Sequence, residues 1–175
     1  MNICIFCSAY TTDDKYVKPA EELATLLAKA GHHLVWGGSD VGLMHIVAEA
    51  FRNNGGKIYG VSLEVYKHKN HKSADEMIIA KDLGTRKAAM LARSDVIVAL
   101  PGGTGTLDEL TEIIELRKQG HNSKPIVIVN TDGFYDGLIM QLTRMFKEGF
   151  IPKSMDDLVY FASEPKEVLG YITTL

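Results

Sequence analysis

The chain has 175 residues, 46% of them hydrophobic and 23% charged, with 19 Lys and Arg against 22 Asp and Glu for a net charge of −3. At roughly 150 residues per domain this is a single domain spanning residues 1–175, and the ordinary globular composition excludes disorder, collagen and coiled coil. No apolar run approaches the ~18 residues of a membrane helix, no basic-then-apolar leader precedes the first strand, and the mildly acidic balance argues against a nucleic-acid partner.

Short β-rich runs alternate with stretches of helical period. Ile3–Phe6 predicts a first strand, followed by a helix from Asp14 to Ala30 with Val17, Ala20, Leu23, Ala24, Leu27 and Ala28 along one face. Leu34–Trp36 predicts a strand ending at Gly37-Gly38, then a helix over Leu43–Asn53 that Gly55-Gly56 breaks. Ile58–Ser62 reads as a third strand, Glu76–Ala80 as a fourth and Thr85–Arg93 as a helix. Val96–Leu100 is the most strand-like segment and runs into Pro101-Gly102-Gly103, before a helix over Leu107–Lys118. Ile126–Asn130 is a strand, Tyr135–Glu148 a helix, Leu158–Phe161 a last strand, and a short helix starts at Lys166. Nearly all-apolar strands joined by helices imply a parallel sheet covered on both faces, a single doubly wound α/β domain.

Cys4 and Cys7 form a nominal C-x-x-C, yet they lie in or just after the first strand. A redox pair of this spacing opens a helix, and no second cysteine pair completes a metal site, so both read as buried thiols with no metal expected. Two reduced cysteines and no leader suit a cytoplasmic protein. The basic stretch Lys67–Lys72 is either a solvated loop or a lid that attracts anions. His45 reads as a packing or capping residue.

The 16 glycines are concentrated where strands end. One cluster is Gly37-Gly38-Ser39-Asp40-Val41-Gly42; the other is Gly102-Gly103-Thr104-Gly105-Thr106, followed by Asp108 and Glu109. In doubly wound sheets ligands bind beyond the carboxyl ends of the strands. Glycine there admits close backbone approach, and the following helix offers unpaired N–H groups to an anion, with phosphate the natural guest. No Gly-Lys-Ser/Thr occurs, which removes the P-loop, and Asp108 occupies the sixth position of the would-be dinucleotide fingerprint from Gly103. Glu109 has two readings, a carboxylate favoured by the helix dipole or one placed to act on a sugar beside the phosphate. Arg86-Lys87 at the opening of the preceding helix is disfavoured by that helix's dipole, which points toward a ligand role.

Arg86-Lys87, the strand Ser94–Leu100 and Pro101-Gly-Gly-Thr-Gly-Thr-Leu-Asp-Glu109 together resemble the Lonely Guy family of nucleoside 5′-monophosphate phosphoribohydrolases, often labelled lysine decarboxylase-like. The likeness extends from Ile3–Cys7 through Gly37-Gly38 and Gly42-Leu43-Met44 to Gly149-Phe150-Ile151. It implies a Rossmann-like fold, a homodimer with active sites near the subunit interface, and hydrolysis of the N-glycosidic bond of an AMP-like purine nucleotide without a cofactor. Carried over by position, Arg86 and Glu109 are the catalytic pair. Gly102 to Thr106 hold phosphate and ribose, with Lys87, Asp108, Gly37 and Gly38 also binding substrate. Lysine decarboxylation would need a pyridoxal-phosphate Schiff-base lysine, and no residue stands out for that role.

The chain departs from the family pattern at Gly84-Thr85, where His-Glu is usual, and at Glu115-Leu116, where Thr-Trp is usual. Cys7-Ser8-Ala9, Ser39 and Thr104 differ as well. These departures motivate an alternative, a non-catalytic nucleotide-binding or nucleotide-cofactor carrier protein of the same fold.

Overall fold

A computed structural model describes residues 1–175. Seven strands form one all-parallel sheet: β1 (Asn2–Phe6), β2 (His33–Trp36), β3 (Ile58–Leu63), β4 (Glu76–Ala80), β5 (Val96–Ala99), β6 (Ile126–Val129) and β7 (Tyr160–Ala162). Their order is β4-β3-β2-β1-β5-β6-β7. The chain therefore runs outward from β1 to one edge, then returns to place β5 beside β1. That reversal opens a crevice at the carboxyl ends of β1 and β5, the expected ligand position.

Six helices cover the sheet: α1 (Asp14–Lys29), α2 (Gly42–Asn53), α3 (Leu83–Arg93), α4 (Thr104–Lys118), α5 (Asp136–Lys147) and α6 (Pro165–Ile172). Alternate strand residues serve two cores, as the period of two requires. Ile3, Ile5 and Cys7 pack with α1, α2 and α6, whereas Cys4 and Phe6 pack toward α3, α4 and α5. Every residue of β5 and β6 is buried, which is why those segments are continuous apolar runs. No helix is long and apolar enough to cross a membrane.

Three element starts differ from the sequence reading by two residues or more. Helix α3 starts at Leu83, because Asp82 caps it through a reciprocal capping box with Thr85, so Arg86 lies in its second turn and does not open it. Helix α4 starts at Thr104, directly on the N-cap Gly103, and the Thr-Gly-Thr segment is helix instead of loop. The last strand starts at Tyr160, since Leu158 and Val159 both donate their N–H to the carbonyl of Met155 and complete a turn.

Gly42 starts α2 with φ +58°, and a Cβ there would stand 2.5 Å from the carbonyl carbon of Ala9. Both strain and collision oppose any side chain. Gly42→Ala is expected to destabilise the fold by about 3 kcal/mol, lowering Tm by roughly 6–12 °C in a calorimetric or fluorescence melt.

Candidate active site

The carboxyl ends of β1, β2 and β3 and the start of α4 surround a cavity of about 400 Å³. Its wall includes Cys7, Ser8, Gly37, Arg86, Glu109 and the run Gly103 to Thr106.

One side is the α4 N-terminus. Gly103 is its N-cap and supplies no side-chain cap, and no protein group accepts from the N–H groups of Thr104, Gly105 or Thr106. A Cβ at Gly103 or Gly105 would meet nothing within 4 Å. Three unpaired donors, open space and the positive end of a 15-residue helix are the arrangement that can hold an anion. Gly102 has a different task. A Cβ there would lie 2.2 Å from Thr106 Oγ1, so this glycine makes room for the threonine folded back over it.

The other side is an ion pair across two helices. Arg86 of α3 donates from Nη1 to Glu109 Oε1 at 2.7 Å and from Nε to the Val61 carbonyl at 2.9 Å. The side chains of Arg86 and Glu109 are only 11% and 8% exposed. Burial pushes the Glu109 carboxyl above the ordinary carboxylate range, against the opposing pull of the Arg86 charge. The guanidinium fits because residue 37 lacks a side chain: a Cβ on Gly37 would stand 2.3 Å from Arg86 Nη2.

The remaining sequence candidates lie off the cavity wall. Lys87 and Asp108 face each other at 2.9 Å, and Lys87 also pairs with Glu112, so this lysine bridges α3 to α4. Gly38 turns with φ +77°, and a Cβ there would meet the Met77 sulfur at 2.8 Å, which makes it a packing position. Cys4 and Cys7 are free and buried, and burial together with the Glu109 charge pushes both thiols well above their usual range. They remain protonated, weak nucleophiles.

Sequence reasoning missed part of the wall. Tyr10, Val41, Met44, Leu63, Tyr66 and Leu83 line the cavity, most of them apolar, together with Lys69 from the basic stretch that the sequence offered as a loop or a lid. Tyr66 and Lys69 belong to a 3-10 segment, Glu64–Lys69, within which the basic stretch begins. Its position against the glycine turn, with Asp40 N–H donating to the Lys69 carbonyl at 2.7 Å, makes it part of the wall. Among the departures, Thr85 serves the α3 cap, and Glu115 hydrogen-bonds to Lys118 and Gln119 along its own helix.

Fold and site together define a Rossmann-like α/β protein with an uncapped helix terminus and a buried arginine–carboxylate pair on one cavity wall. A family model described as "Possible lysine decarboxylase" matches residues 44–172. The chain is 39% identical over 166 residues to the probable cytokinin riboside 5′-monophosphate phosphoribohydrolase LOGL9 of Oryza sativa subsp. japonica, covering 93% of this chain and 72% of that protein. It is 32% identical over 170 residues to the cytokinin riboside 5′-monophosphate phosphoribohydrolase LOG3 of Arabidopsis thaliana, covering 95% and 79%. Among solved structures, the molybdenum cofactor binding protein of Rippkaea orientalis superposes with a TM-score of 0.74 at 22% identity, over 99% of this chain and 94% of that one, which establishes the shared fold. The chain belongs to the Lonely Guy family of phosphoribohydrolases, the group that the decarboxylase-labelled model covers.

Proposed function

We propose that this chain hydrolyses the N-glycosidic bond of purine nucleoside 5′-monophosphates, releasing the free base and ribose 5-phosphate. The observation that carries this reading is the Arg86–Glu109 pair set opposite the free N–H groups of α4 in one cavity. The names of the curated relatives support a hydrolase of this kind over a decarboxylase.

The chemistry follows from those positions. The 5′-phosphate takes the N–H groups of Thr104, Gly105 and Thr106, with threonine hydroxyls adding donors. That anchor directs the ribose toward Glu109, slightly more than one helical turn along α4. Glycosidic cleavage develops positive charge on the ribose ring, which a carboxylate stabilises. Water forms the new bond to the anomeric carbon as the bond to the base nitrogen breaks, and its proton passes through Glu109 to the departing base. A carboxyl held above its ordinary range suits a group that must both take and return a proton near neutral pH. A guanidinium carries donors only, so Arg86 serves by giving hydrogen bonds. It holds Glu109 in place and assists the base or the phosphate.

The apolar wall formed by Val41, Met44, Leu63 and Tyr66 suits a planar base. A homodimer is part of this reading; its support is Tyr10 and Leu83, both on the cavity wall and exposed. Location in the cytoplasm is likewise part of it, supported by two free thiols.

Comparing AMP with adenosine and with pyrimidine monophosphates tests the substrate class. Base release from AMP, with adenosine turned over at least about 100-fold more slowly, fits the phosphate anchor. Equal rates with and without phosphate would remove the α4 terminus from the account. Nucleotide retained without base release would favour the carrier alternative. Lys87→Ala, off the cavity wall, is expected to lower the rate by less than about tenfold, the scale of a lost partly exposed ion pair, in the same assay.

A further inference from the structure

Beside the cavity, outside the side chains given a role in the proposed chemistry, three potential metal ligands converge. Asp40 lies within the first glycine turn, His45 in the first turns of α2, and His71 follows the 3-10 segment. Their ligand atoms all lie within 4.8 Å of one another. His45 Nδ1 is 2.7 Å from Asp40 Oδ1, and His71 Nε2 is 3.5 Å from the same oxygen. Ligand atoms held about 2.0–2.2 Å from a tetrahedral zinc stand about 3.3 Å apart, so the two separations bracket the required value.

The surroundings suit a cation. His71 is fixed in direction, its side chain only 4% exposed, and its Nε2 points at Asp40 and at Glu49 Oε1, 3.0 Å away. Glu49 stands one helical turn beyond His45 on the same face of α2, and Arg52 holds its carboxylate with hydrogen bonds of 2.9 and 2.7 Å. Asp40 and His45 are partly open to solvent, which leaves an entry path and room for a water ligand. Two imidazoles with one carboxylate form a donor set for a zinc-class divalent ion.

We propose that Asp40, His45 and His71 bind one divalent transition-metal ion of the zinc class, with Glu49 as the carboxylate flanking His71. Without metal, His71 Nδ1 accepts from the Ser73 N–H at 3.3 Å, so the ring proton sits on Nε2 and faces the carboxylates. Metal binding through Nε2 requires the neutral ring to carry its proton on Nδ1 instead, which can then no longer accept from the Ser73 N–H. The ion clamps two segments already joined by backbone bonds, Asp40 N–H to the Lys69 carbonyl and His71 N–H to the Gly38 carbonyl. It therefore fixes the part of the cavity wall that carries Tyr66 and Lys69, without touching Arg86 or Glu109.

Titration of metal-free, untagged protein with Co²⁺ tests this directly. The expected result is one equivalent bound with the visible absorption of a four-coordinate ion, displaced by Zn²⁺, and a Zn²⁺-dependent rise in Tm. Asp40→Asn and His45→Gln, both at solvent-accessible positions, should each weaken Co²⁺ binding at least about tenfold and abolish the Tm rise. Absence of binding at micromolar metal would overturn the proposal. So would undiminished binding in the double variant, which would place the ion elsewhere, such as at His32 beside the N-terminal amine.

Discussion

Replacing Glu109 by Gln is expected to cut base release from AMP by about 10²–10⁴-fold, the usual contribution of a positioned acid–base group. The substitution keeps shape and leaves Arg86 a carbonyl oxygen to donate to, so the cavity survives while the proton acceptor and the negative charge are lost. The wild-type rate should also show an acid limb. Burial holds the Glu109 carboxyl above the ordinary value near ~4.3. Activity needs the carboxylate, so the rate falls as the pH drops through that raised value, and the limb lies above the ordinary carboxylate range. Stability carries the opposite sign. A carboxyl raised in the folded chain binds its proton more tightly there than when unfolded, so it favours folding at low pH, and that contribution is lost as the pH rises through the raised value. Relative to Glu109→Gln, the wild type should gain stability as the pH is lowered from neutral. A limb at or below the ordinary carboxylate value would contradict the burial argument.

Gly37→Ala is expected to cost about 10²-fold in the same assay although residue 37 offers substrate no functional group. The added Cβ would lie 2.3 Å from Arg86 Nη2 and 2.9 Å from Met44 Cε. Residue 37 does not have a left-handed backbone, so the effect is one of space alone. Arg86 is tied at Nε to Val61 and at Nη1 to Glu109, and it must yield one tie or shift by about 1 Å, a displacement large enough for such a loss. Overpacking adds a stability cost of about 1–3 kcal/mol, read as a lower Tm. Gly170→Ala in α6, where a Cβ meets nothing within 4 Å, is the matched control and should leave the rate unchanged.

Much of this arrangement was legible in the sequence because it follows from local rules. The apolar runs of β5 and β6 announce strands buried on both faces, and the glycines after β2 and β5 mark where the backbone turns at the sheet's carboxyl edge. Arg86 and Glu109 stand out as charges beside those turns. The sequence does not reveal where side chains of equal chemistry aim. Lys87 and Asp108 adjoin Arg86 and Glu109 in the chain, yet one residue is about 100° around a helix, and that rotation turns them onto each other and off the cavity wall. Gly37 and Gly38 are likewise neighbours with different duties, one admitting Arg86 and the other packing on Met77. The 3-10 segment has no amphipathic period, so its delivery of Tyr66 and Lys69 to the wall depends on tertiary contacts. The same holds for His71, which meets His45 only because β3 and the 3-10 segment return the chain to the first glycine turn.

Under the proposed function this cavity turns a nucleotide over instead of merely holding it. Quantifying free adenine and ribose 5-phosphate from AMP, with wild type and Glu109→Gln in parallel, tests it most directly. Both products are expected in equal amounts over many turnovers by the wild type, with near-complete loss in the variant. AMP bound one-to-one and recovered intact from the wild type would contradict it.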